Sequence, residues 1–248
     1  YGDLQDLHSF PTRRSSDLRF ENNATFTLAA DRRITADGGG YPSAVDNYSS
    51  LTMSARSCID VGASKLVNNA TMFAGAPGSD YARILGDFEN NNYLLPCDSS
   101  LASGLLDVSG DFKAGGGAIL RIRLHGTATN DYDRLSVQGT ATLAGQLDVR
   151  LTSGFVPTIG SSFTILTYGA RIGQFNPVSL PALPSGRQWV LSYTATGVVL
   201  TVIAQPVLVG SDPAADTTFA KVGNNVLTLV FDRIIALPLR EAREVFER

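Results

Sequence analysis

The sequence predicts an all-β protein in which short strands stack as successive coils of a solenoid. Three observations lead to this prediction: a recurring asparagine pattern, a second repeat that continues it, and a composition suited to strands and turns. The chain has 248 residues with 24 glycines, and only 17% of its residues are charged. Little of it shows the apolar spacing of a helix, so short strands separated by turns are the expected elements.

The first repeat places an apolar residue ahead of an Asn-Asn or Asp-Asn pair and another apolar residue a few positions later. Its four copies contain the pairs Asn22-Asn23, Asp46-Asn47, Asn68-Asn69 and Asn90-Asn91. Aligned on the second asparagine of each pair, the copies are separated by 24, 22 and 22 residues. A period in this range without helical spacing is typical of stacked β-coils.

The asparagine pairs are predicted to form a ladder through the stack. One coil cannot bury its apolar side alone, so coils need neighbours, which lie about 4.8 Å apart. In such a stack, asparagine amides from equivalent corners can bond from coil to coil. The alternative is that Asn pairs simply favour turns and that their spacing is chance. The flanking apolar residues recur in phase, which favours the ladder.

A second repeat extends the series and contains a pair of carboxylates. Gly86-Asp87-Phe88 recurs 24 residues later as Gly110-Asp111-Phe112, and residues 106–110 resemble residues 135–139, 29 positions on. Stacked about 4.8 Å apart, Asp87 and Asp111 could share a proton or bind calcium. Gly-Asp is also common turn chemistry. We favour the turn interpretation and expect neither a catalytic residue, a metal site nor a cofactor.

Composition excludes several classes of function. A net charge of -3 without a basic patch argues against binding to nucleic acid, and no apolar run is long enough to span a bilayer. Outside the segment 1–18, His125 is the single histidine, which excludes a site with several histidine ligands. Cys58 and Cys97 could pair in an oxidising compartment, but Cys97 follows Pro96 in a turn, so two separate thiols are predicted.

The N-terminal segment 1–18 is expected to lie outside the native fold. Residues 7–18 look like the in-frame translation of a sequencing-library adapter, and no signal peptide is present at the start. We therefore expect an artefactual, disordered segment at 1–18, with the native protein beginning near Arg19. The predicted solenoid, including its terminal capping coils, covers residues 19–204.

Residues 105–204 resemble the terminal coils of bacterial surface proteins with autotransporter-type β-strand repeats. The resemblance is carried by several short motifs in order: Val108-Ser109-Gly110-Asp111-Phe112, Tyr132-Asp133-Arg134-Leu135, Gly145-Gln146-Leu147-Asp148-Val149 and Phe163-Thr164-Ile165-Leu166. It implies a right-handed parallel β-helix in an exported, non-catalytic passenger or stalk. No membrane barrel and no anchor are visible in this sequence. Trp189, Leu191 and Tyr193 alternate on one predicted strand and are expected to cover the open end of the coil.

Residues 205–248 differ in character from the solenoid. Gln205-Pro206 breaks the last strand, and residues 207–213 and 226–232 resemble the opening strands of a bacterial Ig-like sandwich. A sandwich needs about seven strands, so a truncated segment is expected. Residues 237–248 have apolar residues at helical spacing among charges, which fits a short amphipathic helix or a damaged end.

The sequence thus favours a non-catalytic scaffold for adhesion or spacing, either secreted or at the cell surface. The partners expected are surface glycans or proteins of the cell surface or host, and the chain is expected to be monomeric. One alternative is a carbohydrate-binding module, which would present a row of exposed aromatic residues. The other is a polysaccharide lyase or hydrolase with acids and basic residues in one groove.

Overall fold

The computed structural model describes residues 20–35, 45–75, 80–97, 103–206, 208–212 and 228–231. The adapter-like segment 1–18 and the helix expected at 237–248 lie outside these ranges. Within them the chain is all-β, and its parallel strands stack as a solenoid of about 5 turns. The predicted fold class is therefore confirmed.

The strands are short, and most have three to six residues. In chain order they are β1 (Phe20–Asn22), β2 (Phe26–Leu28), β3 (Arg33–Thr35), β4 (Val45–Asn47), β5 (Leu51–Met53), β6 (Cys58–Asn68), β7 (Thr71–Ala74), β8 (Ala82–Asn90), β9 (Tyr93–Leu95), β10 (Leu105–Val108), β11 (Phe112–Ala114), β12 (Ile119–Leu124), β13 (Arg134–Val137), β14 (Thr140–Leu143), β15 (Gln146–Leu151), β16 (Ser162–Thr167), β17 (Ala170–Gly173), β18 (Val178–Ser179), β19 (Arg187–Tyr193), β20 (Gly197–Ala204), β21 (Leu208–Asp212) and β22 (Thr228–Phe231).

Each full turn of the coil contributes to three parallel ladders, which we call faces 1, 2 and 3. Face 1 contains β3, the first halves of β6 and β8, then β10, β13 and β16. Face 2 contains β1, β4, the second halves of β6 and β8, then β11, β14 and β17. Face 3 is the sheet β2-β5-β7-β9-β12-β15-β18.

Apolar side chains from all three faces fill the inside of the coil in continuous columns. On face 2, Val45, Leu66, Phe88 and Phe112 occupy one register position, each no more than 2% exposed, and the rings of Phe88 and Phe112 lie 5.5 Å apart. On face 3 the equivalent column is Leu51, Met72, Leu94, Leu120 and Leu147. Burying each such side chain contributes about 1.5–3 kcal/mol, and this is the main force that holds neighbouring turns together.

Later turns are longer than earlier ones, and the added residues lie at one corner. On face 1, Arg83 is aligned with Asp107, which follows it by 24 residues. On a later turn, Leu135 is aligned with Leu166, which follows it by 31 residues. The extra residues, 125–133 and 152–161, connect face 3 to face 1. They leave the strand ladders in register.

An antiparallel hairpin closes the C-terminal end of face 1. Strand β20 pairs antiparallel with β16, and β19 pairs antiparallel with β20. The ring of Trp189 packs 6.0 Å from that of Phe163, and its Nε1 donates a hydrogen bond of 2.9 Å to the Pro181 carbonyl oxygen. Leu191 and Tyr193 also pack against the core. This hairpin is the predicted C-terminal cap.

Beyond the cap, β21 and β22 form a separate antiparallel pair. They coincide with the two strands that resemble the start of an Ig-like sandwich. That domain assignment stays a prediction. None of the described residues forms a helix long and apolar enough to cross a membrane.

Candidate functional site

A buried asparagine ladder runs between faces 2 and 3. In each of three steps an asparagine Nδ2 donates to the Oδ1 of the next asparagine at 2.7 Å, through Asn22, Asn47, Asn68 and Asn90. The same Nδ2 atoms also donate to the backbone oxygens of Ser50, Thr71 and Tyr93, at 3.0–3.1 Å. The last three ladder residues have no exposed surface, and their amides therefore satisfy one another within the protein.

The strand register of this ladder differs from the sequence alignment of the four copies, which superimposed the second asparagine of each pair. Asn47, the second residue of its pair, occupies the same position as Asn22 and Asn68, the first residues of theirs. The reason is the alternation of the strand: Val45 points into the core two positions before Asn47, and a shift of one residue would turn it outward. Tyr48 therefore takes the position predicted for an asparagine.

The remaining predicted ladder residues lie beside the buried column. Asn91 Nδ2 donates to Asn69 Oδ1 at 3.0 Å in a partly buried contact, one position further along the chain. Asn23 is exposed. Asp46 is 2% exposed and lies at the register position between Glu21 and Val67. The eight residues thus form one buried column and a flanking set, rather than one uniform ladder.

Asp87 and Asp111 lie on successive turns, and each carboxylate binds the backbone of the turn that follows. Asp87 Oδ1 accepts a hydrogen bond of 2.8 Å from the Asp111 amide, and Asp111 Oδ1 accepts one of 2.7 Å from the Thr140 amide. Within the described ranges, no three His, Cys, Asp or Glu residues are grouped so that they could hold a metal ion. Asp87 lies within β8 and Asp111 directly before β11, and each aspartate links two coils through a backbone amide.

Oppositely charged side chains on the outside of the coil pair between turns. Glu89 lies between two lysines, with Oε2 2.6 Å from Lys65 Nζ and Oε1 3.2 Å from Lys113 Nζ. The hydrogen bond from Lys65 is the largest effect on the pKa of Glu89, which is held below its ordinary value of 4.5. Arg83 pairs in the same way with Asp107, at 3.0 Å. Sequence reasoning missed these pairs, although opposite charges spaced in phase with the repeat were a usable signal.

One carboxylate is fully buried where the lengthened corner meets face 1. Asp133 Oδ2 accepts hydrogen bonds of 2.9 Å from both the backbone N and the Nε of Arg123, and Oδ1 accepts one of 3.0 Å from the Gly104 amide. Asp131, two residues earlier, instead accepts a bond from the Ala128 amide. The two aspartates therefore serve separate turns and do not form a carboxylate pair.

One surface cavity of about 330 Å³ lies on the early turns of face 1. Its lining residues are Arg33, Arg56, Ser57, Cys58, Asp80, Tyr81, Arg83 and Leu85. All three arginines are committed to carboxylates: Arg33 to Asp60, Arg56 to Asp31 at 2.6 Å and to Asp80 at 2.8 Å, and Arg83 to Asp107. This cavity therefore offers polar groups that are already paired.

Cys58 lies in that cavity between Arg33 and Arg83 in the strand register. Burial raises the pKa of its thiol in spite of the two guanidinium groups, so the protonated form is favoured. Cys97 is fully buried, and neither cysteine forms a disulfide, in agreement with the expectation of two separate thiols.

A second surface cavity, of about 360 Å³, lies on the later turns of face 1. It is lined by Leu105, Thr129, Tyr132, Arg134, Leu135, Ser136, Thr164 and Thr167. Hydroxyl-bearing side chains predominate, and Arg134 is the one charged residue of the lining. Neither cavity gathers Asp87, Asp111, Arg121 or Arg123.

The aromatic residues that a sugar-binding row would require are dispersed. Three tyrosines are each covered by an arginine: Tyr81 by Arg83 at 4.7 Å, Tyr93 by Arg121 at 5.1 Å, and Tyr193 by Arg171 at 4.9 Å, measured from guanidinium carbon to ring centroid. Tyr48 is 46% exposed, and Trp189 belongs to the cap. Tyr41 lies outside the described residues. Those described do not form a row.

No protein-family model matches this chain, and a search of curated proteins finds no match.

Proposed function

We propose that this chain is a non-catalytic structural scaffold, a spacer or adhesion stalk of the autotransporter-passenger type, displayed at the cell surface or secreted. The observation that carries the proposal is that polar side chains link successive turns. The asparagine ladder, the aspartate-to-amide bonds and the ion pairs all join one turn to the next. Side chains that pair between turns stiffen a rod, and their polar groups are already occupied rather than open to a substrate.

The geometry of the acids supports this proposal over a lyase or hydrolase. Catalysis on a polysaccharide requires acids and basic groups that converge on one reacting bond. Asp87 and Asp111, the predicted candidates, each use a carboxylate oxygen to bind a backbone amide, and neither lines the cavities on face 1. These bonds between successive coils account for their presence.

A flat aromatic platform for sugars has less support for a similar reason. Such a platform needs ring faces open to solvent, whereas Tyr81, Tyr93 and Tyr193 each have an arginine over the ring. The exposed Tyr48 stands alone among the described tyrosines of faces 2 and 3.

Two measurements test the proposal, with cells of the organism that encodes this chain and with the purified chain. Surface exposure is measured by labelling intact cells with a membrane-impermeant amine reagent, and labelling without lysis is the expected result. Catalysis is measured as release of reducing ends from a panel of acidic and neutral polysaccharides. Labelling that appears only after lysis would contradict the location, and sustained turnover would contradict the non-catalytic role.

A further inference from the structure

Arg134 differs from the other arginines on face 1. Arg33, Arg56 and Arg83 each pair with an aspartate. Among the described residues, no carboxylate lies within ion-pair distance of Arg134, and the one hydrogen bond of its side chain is a long contact of 3.4 Å from Nη2 to the exposed Asn130 Oδ1. Its Nε is buried without a hydrogen-bond partner. The guanidinium is therefore under-satisfied, and such a group favours an anion.

Three other described arginines have no carboxylate partner, and one of them, Arg32, is exposed and lines neither cavity. Arg171 lies over the ring of Tyr193, and Arg187 Nη1 donates to the Pro157 carbonyl oxygen at 2.7 Å. Neither lines the cavity of Arg134. Arg134 is thus distinguished by two features together: it has no paired acid, and an open cavity lies beside it on the later turns of face 1.

The cavity itself indicates the chemistry of the anion. Its volume of about 360 Å³ is at the lower end of the range for small-molecule sites, about 300–1,000 Å³. Strand register places Ser136 beside Thr167, and Thr164 and Thr129 complete a set of hydroxyl groups that can donate or accept. A bidentate guanidinium suits a carboxylate, and the hydroxyls suit a polyhydroxylated body.

We propose that this cavity binds an acidic sugar unit, with Arg134 pairing with the sugar carboxylate and the Thr and Ser hydroxyls contacting the sugar hydroxyls. This goes beyond the scaffold function, because it assigns a saccharide-binding site to the later turns of face 1. The ionic contact provides the selectivity here, and an aromatic platform is not required.

The test is a calorimetric or NMR titration of the full chain with D-glucuronate, D-glucose and inorganic sulfate. Glucuronate is expected to bind in the millimolar range, at least tenfold more tightly than glucose or sulfate. Equal binding of glucose would overturn the role of Arg134, and equal binding of sulfate would overturn the sugar assignment. Absence of glucuronate binding would overturn the proposal as a whole.

Variants assign the binding to this cavity. Arg134→Met is expected to weaken glucuronate at least tenfold, whereas the control Arg150→Met, on face 3 and paired with Asp148, leaves the affinity unchanged. Thr167→Val keeps the side-chain shape while removing a hydroxyl, and a threefold or greater weakening is expected; it serves as the second test if Arg134→Met fails to fold. Unchanged affinity in the folded variants of Arg134 or Thr167 would contradict the site.

Discussion

Replacing Asn68 with alanine tests whether the asparagine ladder stabilises the stack. Asn68 is fully buried, and its Nδ2 donates to Asn90 Oδ1 at 2.7 Å and to the Tyr93 carbonyl oxygen at 3.0 Å. Its Oδ1 accepts from Asn47 Nδ2, also at 2.7 Å. In the alanine variant, Asn90 Oδ1 and the Tyr93 carbonyl oxygen lose this donor. Asn47 Nδ2 loses one of its two acceptors and keeps the Thr71 carbonyl oxygen.

The expected cost follows from these broken contacts. Each buried polar group left without a partner costs about 1–3 kcal/mol, so Asn68→Ala is expected to lower the free energy of unfolding by about 3–6 kcal/mol. This is a large fraction of the stability of an ordinary domain, about 5–15 kcal/mol. The control is Asn69→Ala: Asn69 is partly exposed and its Oδ1 accepts one hydrogen bond, from Asn91, so a cost of about 0.5–1 kcal/mol is expected.

Urea denaturation followed by far-ultraviolet circular dichroism measures both variants. The midpoint and the slope are compared with those of the parent chain, because a coil broken in the middle can unfold in separate parts. Equal losses in the two variants, or a loss below about 1 kcal/mol for Asn68→Ala, would refute the idea that the buried column is a main source of stability.

The other predictions concern the turns, the surface and the thiols. Gly110→Ala should prevent soluble folding because a Cβ would lie 2.3 Å from Asp87 Oδ1 and 2.6 Å from backbone, whereas Gly116→Ala, with nothing within 4 Å, should leave expression and melting temperature unchanged. Lys65 holds the pKa of Glu89 below its ordinary value of 4.5, so this pair stabilises the fold above pH 4.5, and the stabilisation is lost as pH falls through the pKa of Glu89 in the folded protein. Glu89→Gln should therefore flatten the acid side of the urea-midpoint profile, by under about 1 kcal/mol because the lysines are exposed. Asp87→Asn keeps the Oδ1 acceptor, so its melting temperature should change little. Neither the variant nor the parent should respond to calcium or to a chelator. A calcium-dependent rise in the melting temperature of the parent that Asp87→Asn abolishes would restore the metal hypothesis. Reducing agent should leave the melting temperature unchanged, since neither cysteine forms a disulfide, and a drop would indicate that one is present.

The sequence alone determined the repeat and therefore the class of fold. Apolar residues recur in phase with Asn22, Asn68 and Asn90, and such a pattern can bury its apolar side only by stacking. The second repeat placed Asp87 and Asp111 at equivalent positions of successive coils, where each binds a backbone amide of the next coil. The sequence also predicted the cap, because Trp189 and its neighbours alternate on one strand at the end of the series.

The tertiary structure decided what depends on contacts between turns. Whether Asn47 or Asp46 joins the buried column was settled by Val45, which must face the core, and a one-residue ambiguity of this kind is visible only when strands are paired. The cavity of Arg134 likewise depends on three turns meeting at face 1, where residues 105, 134 and 164 come together from distant parts of the sequence. Local patterns determine which side of a strand is buried, whereas the partner of each outward side chain is set by the length of the connections between turns.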